Sequence, residues 1–196
     1  MTVSAIVAEN VWWVCVVAWF LLRLPHHIRA WKEPIRSSHR DWADWTVLTF
    51  MVMCNGVIPF VYVVAKVPRF ANYPFVDAFA WIGTAVFLVA LWLFYRTHRD
   101  LGRNWSMSLE IRHEHRLITD GVYQRIRHPM YLAFLLWGIA QTLLLPNWIA
   151  GPAGLVGSLT LYLFRLPREE RMMLQEFGDQ YRSYMNRTAR IVPWIH

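Results

Sequence analysis

Two groups of polar residues in the second half of the chain have the types and spacing to do chemistry. The first reads Leu101-Gly-Arg-Asn-Trp-Ser, then Glu110-Ile-Arg-His-Glu-His-Arg-Leu-Ile-Thr-Asp-Gly-Val-Tyr, then Arg127-His-Pro-Met-Tyr131. The second reads Arg165-Leu-Pro-Arg-Glu-Glu170 and continues to Phe177-Gly-Asp-Gln-Tyr181. An arginine fork grips a carboxylate through two parallel hydrogen bonds. Carboxylates such as Glu169 and Glu170 accept hydrogen bonds from hydroxyl or amino groups, and histidine donates or accepts near neutral pH. Such a set suits the capture of a polar small molecule and the orientation of an anionic group.

Each feature also has a plainer reading. His113 and His115 with Glu110 and Glu114 suggest a metal site, but His-x-His without a second ligand pair at fixed spacing is a weak metal signature. Arg127-His128-Pro129 fits an interfacial anchor with proline in the first turn of a helix. Glu169-Glu170 fits acidic residues favoured by a helix dipole. Arg165 resists such a reading, because a charge at the inner end of an apolar helix needs a partner or an aqueous cavity. Cys15 and Cys54 lie inside apolar runs and read as small buried hydrophobes.

The elements that must position these residues follow from composition. The 196 residues are 56% apolar and only 17% charged, with 16% aromatic side chains. An ordinary soluble domain is roughly 45–50% apolar and about 25% charged. The surplus argues for a polytopic, all-α integral membrane protein forming one domain over residues 1–196. It disfavours a soluble nucleotide-binding enzyme and a coiled coil. Thr46 to Ala65 and Ala78 to Tyr95 are uncharged and long enough to cross a bilayer. A first span is expected over about Val3 to Leu22, interrupted by Glu9 and Asn10. Met130 to Phe164 is uncharged for 35 residues and broken at Pro146, Asn147 and Trp148, as two helices joined by a tight turn would be. About five transmembrane helices result.

Charge sets the orientation. Residues 23–44 hold five Lys or Arg, residues 96–127 seven and residues 165–196 six, leaving only Lys66 and Arg69 on the other side. The positive-inside rule then predicts an outer N-terminus and a cytoplasmic C-terminus. The net charge of +7 records topology rather than nucleic-acid binding. Glu9 and the absence of Lys or Arg in the first ten residues argue against a cleaved leader. A C-terminal hairpin would bring Arg127-His128 and Arg165 to Glu170 together at one membrane face. Asn55, Gly56 and Pro59 read as a packing kink, and Gly151, Gly154 and Gly157 as the contact ridge of the hairpin. Met173, Phe177, Tyr181 and Tyr184 recur as the apolar side of an amphipathic cover.

The order Gly121-Val-Tyr-x-x-x-Arg-His-Pro-x-Tyr131, an uncharged hairpin, Arg165, Glu169-Glu170, Phe177-Gly-x-x-Tyr181 and Arg190-Ile-Val-Pro193 resembles the isoprenylcysteine carboxyl methyltransferases. More broadly, it resembles the integral-membrane methyltransferases that include phospholipid N-methylating enzymes. The resemblance covers roughly residues 101–194, so that 96–196 is the methyltransferase-like region and 1–95 supplies the N-terminal spans. It implies S-adenosyl-L-methionine as methyl donor in a cytosol-facing pocket lined by His115, Arg116, Leu117, Ile118, Tyr123, His128, Pro129, Met130, Tyr131 and Glu169. Arg165 stands where the family's arginine engages the substrate carboxylate, while Arg116 and Met130 stand where the family accepts small residues.

The implied acceptor is lipophilic, a prenylcysteine-like carboxylate reaching the site from the bilayer among membrane lipids. No metal, nucleic acid or obligate protein partner is implied. An ionised carboxylate needs alignment rather than a base, whereas an amine acceptor would need one, with Glu170 the candidate. Three alternatives remain at this level, of which two are enzymes: a phospholipid or small-molecule N- or S-methyltransferase of the same fold, and an NADPH-dependent sterol-reductase-like enzyme. A non-enzymatic scaffold binding anionic lipid is the third, and it predicts that Arg165 and Glu169 tolerate alanine.

Overall fold

The computed structural model describes residues 4–32, 35–38, 41–102, 110–112 and 116–192. Among the described residues, seven α-helices follow in chain order. They are α1 (Ala5–Lys32), α2 (Trp42–Val52), α3 (Ile58–Ala65), α4 (Asp77–Leu101), α5 (Pro129–Leu144), α6 (Ala150–Phe177) and α7 (Asp179–Arg187). One departure from an all-helical chain is a short antiparallel ribbon of β1 (Ile35–Ser38) and β2 (Glu110–Arg112), which ties the α1–α2 connection to the segment before α5.

The long helices of the first half are apolar on both sides. In α1, Ala8, Trp12, Cys15, Val16 and Trp19 recur at helical spacing and are buried, whereas Ile6, Val14, Phe20 and Leu21 on the other face are exposed. A soluble monomer rarely exposes so continuous an apolar surface, and a bilayer covers it at no penalty. Among the described residues, Ala5–Arg29, Trp42–Ala65 and Asp77–Leu101 are long and apolar enough to cross a membrane. The first of these runs past the expected end at Leu22. Helix α5 is apolar but only 16 residues long, and α6 turns polar from Arg165 onward.

The aromatic centre lies where α1, α4 and α5 meet. Trp19 packs on Phe94 at 3.6 Å between ring centroids and on Trp137 at 4.3 Å. The hairpin is as expected: α5 and α6 pack along each other, and their turn is held by Asn147. Its side-chain oxygen accepts from the amides of Ile149 and Ala150 at 3.0 and 2.9 Å. Its amide nitrogen donates to the carbonyl of Pro68 at 2.8 Å, pinning the turn to the α3–α4 connection. Gly138 is required by this contact, because a Cβ there would lie 2.5 Å from the backbone of Leu155.

The glycine ridge of α6 serves two partners rather than one. Gly151 and Gly154 face α5, but a Cβ on Gly157 would meet Cys54 at 2.6 Å, in the α2–α3 bend. That bend is a π-turn over Met53–Val57, closed by the Ile58 amide donating to the Met53 carbonyl. Pro59 explains it, since proline offers no N–H to the turn and its ring crowds the preceding carbonyls. In the widened register the Cys54 carbonyl would look to residue 59 for a donor and finds proline. Gln141 of α5, fully buried, donates to it instead at 3.3 Å, and also to the Ala150 carbonyl at 2.8 Å. A freed backbone group inside the apolar layer is thus satisfied by a neighbouring helix.

Candidate active site

Away from the Asn147 turn, α2, the end of α4, the start of α5 and the middle of α6 enclose a cavity of about 380 Å³. This is within the roughly 300–1,000 Å³ range of small-molecule pockets. Its walls include Arg116, Leu117 and Ile118, Tyr123 from a 3-10 turn, and His128, Pro129, Met130 and Tyr131 from the start of α5. Arg165 and Glu169 enter from α6. Nine residues after His115 in the expected set, and Arg165 with them, therefore converge on one cavity. His115 itself lies outside the described residues, as do His113 and Glu114.

Local sequence explains the placement. Pro129 opens α5, which puts His128 at its N-cap and Tyr131 one turn along. Arg165 and Glu169 are four residues apart on α6 and so share a face. Tyr131 donates its hydroxyl to Glu169 Oε2 at 2.8 Å, leaving Oε1 3.9 Å from His128 Nδ1. Glu169 is about a third exposed, with a carboxylate that still has acceptor capacity toward the cavity. The Tyr123 phenol is pushed well up by burial, reinforced by the charge of Glu169, so it stays a neutral donor.

The second carboxylate does different work. Glu170 is buried and lies 3.3 Å from His128 Nε2, 3.4 Å from Arg127 Nε and 2.7 Å from Arg190 Nη2. Burial alone would raise its pKa. The His128 hydrogen bond and the charges of His128, Arg190 and Arg127 outweigh burial and hold it down at about 2. Such a group is a poor proton acceptor, so the role of base considered for Glu170 with an amine acceptor is not supported by its surroundings.

Arg127, read from sequence as an interfacial anchor, is instead buried. It donates to the carbonyls of Met185, at 2.9 Å, and of Thr188. Backbone bonds from Arg127 to Ala189 and from His128 to Arg190 run alongside. The cluster fastens residues 185–190 against the start of α5. It thereby holds α7 over the cavity, where Tyr181 and Tyr184 form part of the wall. The Tyr184 hydroxyl donates to the Tyr123 carbonyl at 2.6 Å, so the amphipathic cover folds back onto the domain. Gly178, at φ +51°, makes the break between α6 and α7.

Sequence reasoning missed the contribution of the first helices. Arg23 of α1 and Trp45, Leu48 and Thr49 of α2 line the same cavity. Asp44, buried at the start of α2, places Oδ1 3.7 Å from Arg165 Nε. The available signal was a charge at the mouth of an apolar span, the same signal that singled out Arg165. Counting only Lys and Arg passed over Asp44.

Comparison with known proteins accords with this geometry. Residues 81–175 match the model of the "Isoprenylcysteine carboxyl methyltransferase (ICMT) family". The chain is 38% identical over 97 residues to protein-S-isoprenylcysteine O-methyltransferase B of Arabidopsis thaliana, covering 48% of this chain and 49% of that protein. It is 35% identical over 85 residues to the protein-S-isoprenylcysteine O-methyltransferase of Schizosaccharomyces pombe, covering 42% of this chain and 35% of that one. The chain thus spans about half the length of the first of these relatives, or less. In fold it is similar to the solved structure of the eukaryotic intramembrane Ras methyltransferase ICMT, with a TM-score of 0.53 and 24% identity. That likeness covers 80% of this chain and 54% of the other.

Proposed function

We propose that the chain is an integral-membrane methyltransferase that esterifies the carboxylate of a prenylcysteine-like lipid, a reading supported by the match of residues 81–175 to the isoprenylcysteine carboxyl methyltransferase family model. The observation that carries the reading is the single cavity in which Glu169, Tyr131, His128 and Arg165 meet apolar walls. We assign S-adenosyl-L-methionine as donor. Its sulfonium, when bound, supplies an electrophilic methyl group.

The donor set fits that molecule. Glu169 Oε1 has capacity to accept from a ribose hydroxyl or an ammonium group. Tyr131, donating to Oε2, fixes the orientation of that carboxylate, with His128 beside it at 3.9 Å. Leu117, Ile118 and Met130 offer apolar surface to an adenine ring, and Arg116 offers a charge to an amino-acid carboxylate. Arg165 orients the acceptor carboxylate along the line of transfer. An acceptor that arrives ionised forms its ester without giving up a proton, so no base is required, which agrees with the low basicity of Glu170.

The five-span topology, with an outer N-terminus and the site facing the cytoplasm, belongs to the same proposal. Three long apolar helices support it, together with the shorter hairpin and the gathering of positive charge at the cavity end. Lys66 and the Asn147 turn lie together at the other end, where Lys66 pairs with Glu9. The acceptor would keep its tail in the bilayer and reach the cavity past α2, whose Trp45, Leu48 and Thr49 line it.

Isothermal titration with S-adenosylhomocysteine tests the donor site. Wild-type protein is expected to bind, and Glu169→Ala to bind roughly tenfold or more weakly, as loss of a charge-assisted hydrogen bond predicts. No binding by the wild type, or equal binding by Glu169→Ala, would falsify the assignment.

A further inference from the structure

We propose that an open cavity at the Asn147 end of the bundle binds the phosphodiester headgroup of an anionic phospholipid. The cavity measures about 440 Å³ and lies between the start of α1, the end of α3, the α3–α4 connection and the hairpin turn. Glu9, Lys66 and Arg69 line it beside Tyr62 and Tyr73, and Ile6 and Phe75 give it apolar walls. It shares no lining residue with the candidate active site and is independent of the function proposed above.

Its charges are built in rather than scattered. Glu9, one turn into α1, has a side chain only 7% exposed and pairs with Lys66. A carboxylate in an apolar helix is costly without such a partner, so the pair fixes where Lys66 sits. Lys66 Nζ also lies over the Tyr62 ring, 5.8 Å from its centre, a cation–π contact. The Lys66 backbone is left-handed, at φ +57°, and ends α3 there, so that Arg69 comes round to the same cavity. Arg69 is exposed and forms no ion pair with a described residue. One carboxylate against two cations leaves the cavity with a single positive charge. A phosphodiester carries a single negative one and completes the balance.

The level of the cavity in the membrane selects a lipid as the source of that phosphate. Phe70, next to Arg69, is 87% exposed, and the exposed Trp148 packs on Tyr73 at 4.7 Å between ring centroids. Exposed aromatic rings at the ends of membrane helices sit in the headgroup layer. Val61 and Val64 of α3 continue from there as exposed apolar surface, which acyl chains cover. A soluble phosphate ester gains nothing from that surface. A lipid anchored on it presents its phosphate at a high effective concentration.

The test is native mass spectrometry of the full chain released from detergent micelles, with dioleoylphosphatidylglycerol or dioleoylphosphatidylcholine added at equal concentration. Wild type is expected to retain the anionic lipid roughly fivefold over the zwitterionic one, the effect of about one basic residue at an anionic surface. Arg69→Gln loses most of that preference, Arg69→Glu abolishes it and Arg69→Lys keeps it. Arg182→Gln, which removes an exposed cation of α7 at the opposite end, leaves it unchanged. Melting in the same micelles gives a second reading, because a ligand of the folded state raises its stability. The anionic lipid should raise the melting temperature by a few degrees in wild type and Arg69→Lys, and not in Arg69→Glu. Equal preference in wild type, Arg69→Gln and Arg69→Glu overturns the proposal, as does an equal loss in Arg182→Gln. Displacement of the lipid by millimolar sn-glycerol 3-phosphate overturns the lipid assignment, and its retention supports it.

Discussion

An Arg165→Ala variant is expected to lose roughly 10²-fold or more in turnover, because a misplaced reactant loses much of the advantage of preorganisation. Two effects add. On the proposed function the acceptor loses the group that aligns it, and the buried Asp44 carboxylate, 3.7 Å away, loses its matching charge beside the cavity wall. The incoming carboxylate then meets repulsion where it met attraction. Arg165→Lys keeps the charge but not the planar fork, so it should fall between the two. Donor affinity should survive in all three proteins, since Glu169 and its partner Tyr131 are untouched. Parallel measurement of kcat and of S-adenosylhomocysteine binding separates the roles. An equal loss of both in a folded Arg165→Ala would contradict the division of labour between Arg165 and Glu169.

Arg127→Ala is expected to destabilise the protein by about 3 kcal/mol or more, the usual consequence of removing one partner from a buried ion pair. Arg127 serves Glu170 and the carbonyls of Met185 and Thr188 together, so its loss loosens α7 and the residues just after it. Tyr181 and Tyr184 then no longer close the cavity, and donor binding weakens too.

The same cluster sets an acid limb. Glu170 has its folded pKa depressed to about 2 against an ordinary 4.5. Its contribution is therefore complete above pH 4.5 and is lost as pH falls from there through 2. Thermal melts in micelles from neutral to acid pH should show this loss in the wild type. Glu170→Gln should melt lower at neutral pH and show a flatter acid limb. Equal melting of Glu170→Gln and wild type at neutral pH would remove the cluster from the account.

Much of the fold was legible because it depends on local rules. An uncharged stretch broken at Pro146-Asn147-Trp148 has few folds open to it, and the hairpin it forms joins two polar clusters whose spacing along helices is fixed. That is why Arg165, Glu169, His128 and Tyr131 could be expected in one place. Other features depend on which helix packs beside which, and sequence periodicity carries no record of that. Gly157 lies on the ridge predicted to face α5, yet it meets the α2–α3 bend. The π-turn follows from Pro59, but its rescue by Gln141 requires α5 to lie alongside. Arg127 and Glu170 looked like surface charges because their partners, Thr188 and Arg190, sit in a segment with no periodic signal. Asp44 was hidden for the same reason, its meaning coming entirely from Arg165 on a helix far along the chain.

The most direct test of the central claim is transfer of tritium from S-adenosyl-[methyl-³H]methionine, using purified protein offered farnesylated N-acetylcysteine and phospholipid side by side. The account predicts label in the prenylcysteine, released as volatile methanol by mild base, as a methyl ester must be, and absent when the carboxyl group is already esterified. Base-stable label in the phospholipid with none in the prenylcysteine would contradict it.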